Sequence, residues 1–191
     1  MDYSKSVREY FELECEVLKS LDENNINEVM NVLEKARVSG HRIFVCGNGG
    51  SAATASHFCC DFNKGVSHDG KQKQRYDFEC LNDNVPTMMA VANDIDYADV
   101  FVIPLINKMK QGDVLIGISG SGNSENVVRA IKYANEHGGI TLALVGYDGG
   151  RIKELAQYCI HVKCNNMQIV EDVHMALDHV MMYVLSHAGS C

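Results

Sequence analysis

From Arg42 onward, short β-rich runs alternate with helical stretches, and this alternation restricts the chain to a parallel sheet with crossover helices. Strands are expected at 42–46, 76–81, 114–119, 141–146 and 160–164. Helices are expected at 51–62, 86–92, 97–109, 124–137 and 151–157, with a long closing helix at 170–187. Two helices precede the first strand. One spans 3–21 with Val7, Tyr10, Phe11, Val17, Leu18 and Leu21 at helical spacing, and the second carries Ile26, Val29, Met30, Leu33 and Ala36 before ending at Ser39-Gly40. They suit either an oligomerisation element or a cap on the same subunit. The polar stretch 63–74 reads as a mobile surface loop. With no repeat, no low-complexity tract and no linker, the 191 residues are expected to form one domain.

Two glycine- and serine-rich turns stand at expected strand-to-helix junctions, where open α/β sheets collect their ligands. Cys46-Gly47-Asn48-Gly49-Gly50-Ser51 can turn sharply and aim N–H groups at an anion at the positive end of the next helix. Ser119-Gly120-Ser121-Gly122-Asn123-Ser124 offers hydroxyls and an amide at a second helix start, groups suited to a phosphate ester without a lysine. Read alone, the second turn is also consistent with an ordinary N-cap by Asn123 or Ser124. Gly47, Gly49 and Ala52 match a dinucleotide fingerprint, but the acidic residue it requires about 20 positions on is missing, because Glu79 comes much later. No nucleotide cofactor is expected.

His57 and Asp61 lie one helical turn apart and so share a face, either as a structural pair or as a proton-handling or metal-binding one. The closing helix offers Glu171, Asp172, His174, Asp178 and His179 as partners. Its apolar stripe is read as Val173, Leu177, Val180 and Val184, which leaves His179 off the stripe, either merely solvated or, if functional, serving a site completed by a neighbouring subunit.

Bulk properties exclude several functions. A net charge of −8, from 17 basic and 25 acidic residues with no basic stripe, argues against nucleic acid. No run approaches the length of a membrane span, and the N-terminus has no signal-like apolar region, so the expected location is cytoplasmic. The eight cysteines are scattered, and several fall inside apolar strand or helix patterns where reduced thiols pack well.

Taken together, C-G-N-G-G-S-A-A-x-A-x-H-F, the Asn93-Asp94 pair in V-A-N-D, G-I-S-x-S-G-N-S-x-N-V, G-Y-D-G-G and E-D-x-H-x-x-x-x-H resemble the phosphoheptose isomerase family of SIS (sugar isomerase) phosphosugar-binding proteins over nearly the whole chain. The resemblance implies a three-layer α/β sandwich with a five-stranded parallel sheet and an N-terminal helical extension. It implies interconversion of sedoheptulose 7-phosphate and an aldoheptose 7-phosphate in a homo-oligomer, a tetramer, with shared active sites. Residue by residue, it places Ser119, Ser121 and Ser124 on the phosphate. Asn48, Gly49, Gly50, Ser51, Asn93 and Asp94 fall at the sugar, with Gly120, Asn123 and Glu171 alongside. Asp61 and His179 become the acid/base pair, and His57, Asp61, Glu171 and His179 a zinc site. Three positions depart from the family: Asp61 replaces a longer glutamate, Glu171 a glutamine and Gly120 a threonine, while 167–169 lack an arginine usual before the last helix. A second reading is a non-catalytic SIS protein that binds phosphosugars or, like some relatives of this length, a replication initiator.

Overall fold

The structure, a computed structural model, describes residues 1–66 and 74–187. Helices α1 (Ser4–Lys19) and α2 (Glu23–Ser39) lead into strand β1 (Ile43–Gly47) and helix α3 (Gly50–Cys60), which continues into a π-helical turn, Asp61–Val66. There follow β2 (Phe78–Cys80), α4 (Val85–Asp94), a 3-10 turn at Tyr97–Asp99, α5 (Val102–Lys108), β3 (Val114–Ser119), α6 (Glu125–Glu136), β4 (Ile140–Val145), α7 (Gly150–Leu155), β5 (Tyr158–His161) and α8 (Met167–His187). The expected helix at 97–109 is therefore broken into two pieces, and most of the polar loop read at 63–74 lies outside the described residues.

All five strands are parallel, in the order β2-β1-β3-β4-β5. Chain order reverses between β1 and β3, and the crevice beyond their carboxyl ends is where such sheets bind ligands. Every residue of β1 and β3 is buried, as continuous apolar runs with helices on both faces require. Alternation sorts them: Ile43 and Val45 join Val29, Leu33, Phe58, Val173 and Leu177 under α2, α3 and α8, whereas Phe44 and Leu115 join Phe101, Val127, Ile131 and Ile152 under α5, α6 and α7. The result is the three-layer α/β sandwich that the resemblance implied.

Two helices depart from their expected packing. Among the residues of α1 only Val17 is buried, while Val7, Phe11, Leu13 and Leu18 are exposed. Helix α8 buries Ile169, Val170, Val173, His174, Leu177, Asp178, Met181 and Leu185, leaving Val180 and Val184 exposed. The stripe read through 180 and 184 was mis-phased. The face that enters the core carries two polar residues, His174 and Asp178, which hydrophobic periodicity assigns to solvent.

Candidate active site

The two strand-to-helix turns are cross-linked at the sheet's switch point. Asn48, just past β1, and Asn126, in the first turn of α6, exchange amide hydrogen bonds of 2.9 Å in both directions. The Tyr97 hydroxyl donates to Asn48 Oδ1 at 2.8 Å, so the 3-10 turn holds the same amide. Asn82 brackets Gly47 by donating to its carbonyl at 2.8 Å and accepting from its N–H at 3.3 Å. Asn126, Tyr97 and Asn82 were not assigned roles from sequence. Asn126 stands inside the serine-loop motif, and that position was the available signal. Asn93 and Asp94 end α4, exposed and hydrogen-bonded to each other at 2.8 Å. Tyr97, three residues on, makes the contact with the glycine loop.

In the serine loop, Ser119 and Ser124 face each other with hydroxyl oxygens 3.2 Å apart. Ser124 occupies the N-cap position of α6, yet its side chain makes no capping bond, so the hydroxyl is left to the loop interior. Asn123 spends both ends of its amide on scaffolding, donating to the Ser121 carbonyl at 3.0 Å and accepting from the Arg151 N–H at 3.1 Å. Gly122 adopts φ +64°, and a Cβ there would fall 1.9 Å from the Gly149 carbonyl oxygen, so this turn and the start of α7 are in backbone contact. Ser121 and Asn123, with Tyr147, Asp148, Asn165 and Met167, line an open cleft of about 680 Å³. Gly120, where the family carries threonine, lies under Met167: a Cβ on it would meet the sulfur at 2.6 Å.

Helix α8 connects these loops to the third cluster. Met167 covers Gly120, and one turn later the Glu171 carboxylate lies where a Gly50 Cβ would be, within 2.3–2.6 Å of that position. The anion at the positive end of α3 is thus the chain's own Glu171. Seven residues further along both helices, His57 and Asp61 of α3 and its π-turn meet Asp178 and His179 of α8. The Nε2 atoms of His57 and His179 are 3.0 Å apart, and His57 Nε2 lies 3.7 Å from Asp61 Oδ2. One ligand atom from each of His57, Asp61, Asp178 and His179 lies within 4.8 Å of all the others.

His179 meets His57, Asp61 and Asp178 within one chain while remaining exposed, off the buried face of α8 as expected. The Glu171 carboxylate, expected among the metal ligands, lies beside Gly50, and Asp178 stands with His57, Asp61 and His179 in the converging group. Asp178 is wholly buried and neither carboxylate oxygen has a hydrogen-bond partner. Burial, with the nearby Asp61 carboxylate adding to it, pushes its acid up to about 8. His174, one turn before, is also wholly buried, and burial depresses its imidazole to about 4, partly offset by the Val145 backbone. Two imidazoles and two carboxylates, one of them orphaned, form a donor set suited to zinc. Without a metal, the same Asp61 and His179 can accept and deliver protons.

With this geometry in view, the comparisons with known proteins agree. The SIS-domain family model matches residues 3–146. A probable phosphoheptose isomerase from Thermoplasma volcanium is 33% identical over 177 residues, covering 93% of this chain and 89% of its own. The phosphoheptose isomerase of Mycobacterium tuberculosis is 37% identical over 150 residues, covering 78% of this chain and 75% of its own. Among solved structures, phosphoheptose isomerase GmhA from Neisseria gonorrhoeae superposes with a TM-score of 0.87 at 26% identity, covering 96% of this chain and 98% of that one. The chain belongs to the SIS-domain family, among its phosphoheptose isomerases.

Proposed function

We propose that this chain is an aldose–ketose isomerase acting on a seven-carbon sugar phosphate, interconverting sedoheptulose 7-phosphate and an aldoheptose 7-phosphate. The observation that carries the reading is the meeting of Asp61 and His179, 118 positions apart in sequence, beside His57 on the same side of the sheet as the glycine loop's helix. Phosphosugar binding is supported by the paired hydroxyls of Ser119 and Ser124 and by Ser121 at the mouth of the cleft. Asn48, locked by Asn126 and Tyr97, Gly49, Gly50, Ser51 and the Asn93-Asp94 pair are assigned to the sugar, with Gly120, Asn123 and Glu171 shaping the walls.

Isomerisation transfers a proton between adjacent carbons through an enediol, with no oxidant or reductant. The Asp61 carboxylate takes the proton from the carbon beside the carbonyl, and the released electron pair forms the carbon–carbon double bond. His179 moves the proton between the two oxygens, and Asp61 returns its proton to the neighbouring carbon. A divalent metal, zinc in the family's pattern, would be held by His57, Asp61 and His179 and would supply a Lewis acid for the carbonyl. With the metal bound, Asp61 and His179 would give up part of their basicity.

The chain is read as a single SIS domain assembling into a homotetramer. The support is apolar surface that its own fold leaves uncovered: Val7, Phe11 and Leu18 on α1, and Val180, Tyr183 and Val184 on α8. Val180 follows His179 directly, so a second copy seated there would shield the His/Asp group from water and share in the site. The described cysteines are all free, which fits a reducing, cytoplasmic setting. No helix among the described residues is long and apolar enough to cross a membrane.

Turnover of sedoheptulose 7-phosphate by the purified protein, lost in Asp61→Asn, tests the reading. Unimpaired phosphosugar binding with no turnover would instead support the non-catalytic member of the fold.

A further inference from the structure

We infer that Tyr97 and Asn126 are positioning residues that fix the Asn48 side chain as a hydrogen-bond donor only, so that it favours a ligand oxygen carrying no hydrogen, the carbonyl or a phosphate oxygen of the sugar phosphate. The inference rests on the phosphosugar reading and deepens it, but ligand affinity can be measured without turnover.

The order of bonds begins at helix α6. The Val127 N–H is one of the donors that the first turn of a helix leaves without a backbone partner. Ser124, at the N-cap, makes no capping bond, and Asn126 Oδ1 accepts from the Val127 N–H instead, at 2.9 Å. A backbone N–H can only donate, so this contact decides which end of the Asn126 amide is the oxygen. Asn126 Oδ1 also accepts from Asn48 Nδ2, and Asn126 Nδ2 donates to Asn48 Oδ1, both at 2.9 Å. The Tyr97 hydroxyl donates to the same Asn48 oxygen at 2.8 Å. A carbonyl oxygen has two lone pairs, and both are now taken. Nδ2 has spent one of its two hydrogens. Asn126 is buried and Asn48 half-buried, so what the amide pair offers a ligand is the second N–H of Asn48. An amide left free accepts as readily as it donates. A fixed N–H pairs most strongly with an oxygen that bears or gains negative charge, as a phosphate does throughout and a carbonyl does on the way to an enediol.

Tyr97 is held for this contact rather than for the core, since the residue is 53% exposed. Polar groups fix its turn. Asp96 accepts from the Ala98 N–H at 2.9 Å, and Arg129 of α6 donates to Asp99 at 2.9 Å, with Asp96 3.7 Å away. Arg129 stands three residues after Asn126, so both reach from one face of α6. The helix that follows the serine loop thus sets both partners of Asn48.

The test is calorimetric titration of the full chain with sedoheptulose 7-phosphate and, separately, with inorganic phosphate. Tyr97→Phe should weaken binding of the sugar phosphate about fivefold, the worth of one ordinary hydrogen bond, and Asn48→Ala about tenfold or more. In the double variant the Tyr97→Phe loss should vanish, leaving affinity within about twofold of Asn48→Ala, because Tyr97 acts through Asn48. Asn48→Asp keeps the shape but turns an acceptor toward the ligand and toward Asn126 Oδ1, so it should bind more weakly than Asn48→Ala. If Asn48→Asp does not fold, the Tyr97 and Asn48→Ala cycle decides alone. The Tm of Tyr97→Phe should stay within about 2 °C of the parent, as for other exposed substitutions. A parallel loss for inorganic phosphate places the oxygen on the phosphate, and a loss confined to the sugar phosphate places it on the carbonyl; either upholds the inference. Parent-like affinity in Tyr97→Phe, losses that multiply in the double variant, or Asn48→Asp binding as well as Asn48→Ala would each overturn it. The expected pattern in a protein that converts nothing would uphold it and count against the isomerase reading alone.

Discussion

His57 and His179 meet with Nε2 atoms 3.0 Å apart and rings inclined at 80°, so one imidazole donates to the other. Such a pair can hold one bridging proton, and Asp61, 3.7 Å from His57, supplies the adjacent carboxylate. Replacing Asp61 by Asn or His179 by Gln removes a proton acceptor while nearly keeping shape. Each change should lower kcat by about 10²–10⁴-fold, the usual size of a general acid/base contribution. The Tm should hardly move, because neither group belongs to the apolar core. A change confined to KM would assign these residues to binding only.

The serine loop should govern affinity instead. Ser119→Ala and Ser124→Ala each delete one of two facing hydroxyls, and each should weaken binding of the sugar phosphate, and of inorganic phosphate as competitor, about tenfold. Calorimetric titration with the phosphate checks this, and unchanged affinity in both variants would place the phosphate elsewhere.

Gly122→Ala should be the most damaging change in that loop. The new methyl would press on the Gly149 carbonyl in a left-handed backbone conformation, and backbone cannot rotate aside as a side chain can. A loss of about 3 kcal/mol or more in denaturant unfolding is expected. Gly120→Ala, whose methyl meets the flexible end of Met167, should cost only about 1 kcal/mol, recovered when Met167 is also Ala.

Much of the fold was legible because β1 and β3 are unbroken apolar runs between glycine-rich turns, a pattern with few alternatives. The site was legible only in part. His57 and Asp61 were paired by their helical spacing, whereas His179 and Asp178 were two of five candidates on α8, and only His179 was given a role, by the family resemblance. Period-3.6 reasoning sends charged residues outward, and α8 buries His174 and Asp178 against that rule. The threonine-to-glycine departure at 120 had no visible reason in sequence either. Met167, 47 positions on, fills the space a longer side chain would take.

The two buried polar residues of α8 should set the pH dependence of stability. His174 takes its proton near 6.5 when unfolded and only near 4 when folded, so its contribution is complete above 6.5 and is lost as pH falls toward 4. Asp178 keeps its proton up to about 8 in the fold but releases it near 3.8 when unfolded, so its contribution is complete at low pH and lost as pH rises toward 8. In the metal-free protein the two slopes oppose each other between about 4 and 6.5, leaving stability nearly flat in these groups. It should then fall by about 2 kcal/mol up to pH 8. Urea unfolding of Asp178→Asn should show the opposite shape, rising to 6.5 and then level.

The most direct measurement of the central claim is proton NMR of sedoheptulose 7-phosphate with the purified chain in deuterated water, with and without added zinc. Proton transfer through an enediol by Asp61 and His179 predicts an aldoheptose 7-phosphate carrying solvent deuterium at the carbon next to its carbonyl, and neither product nor exchange in Asp61→Asn. Binding of the sugar phosphate with no conversion and no deuterium uptake, in either metal condition, would contradict it.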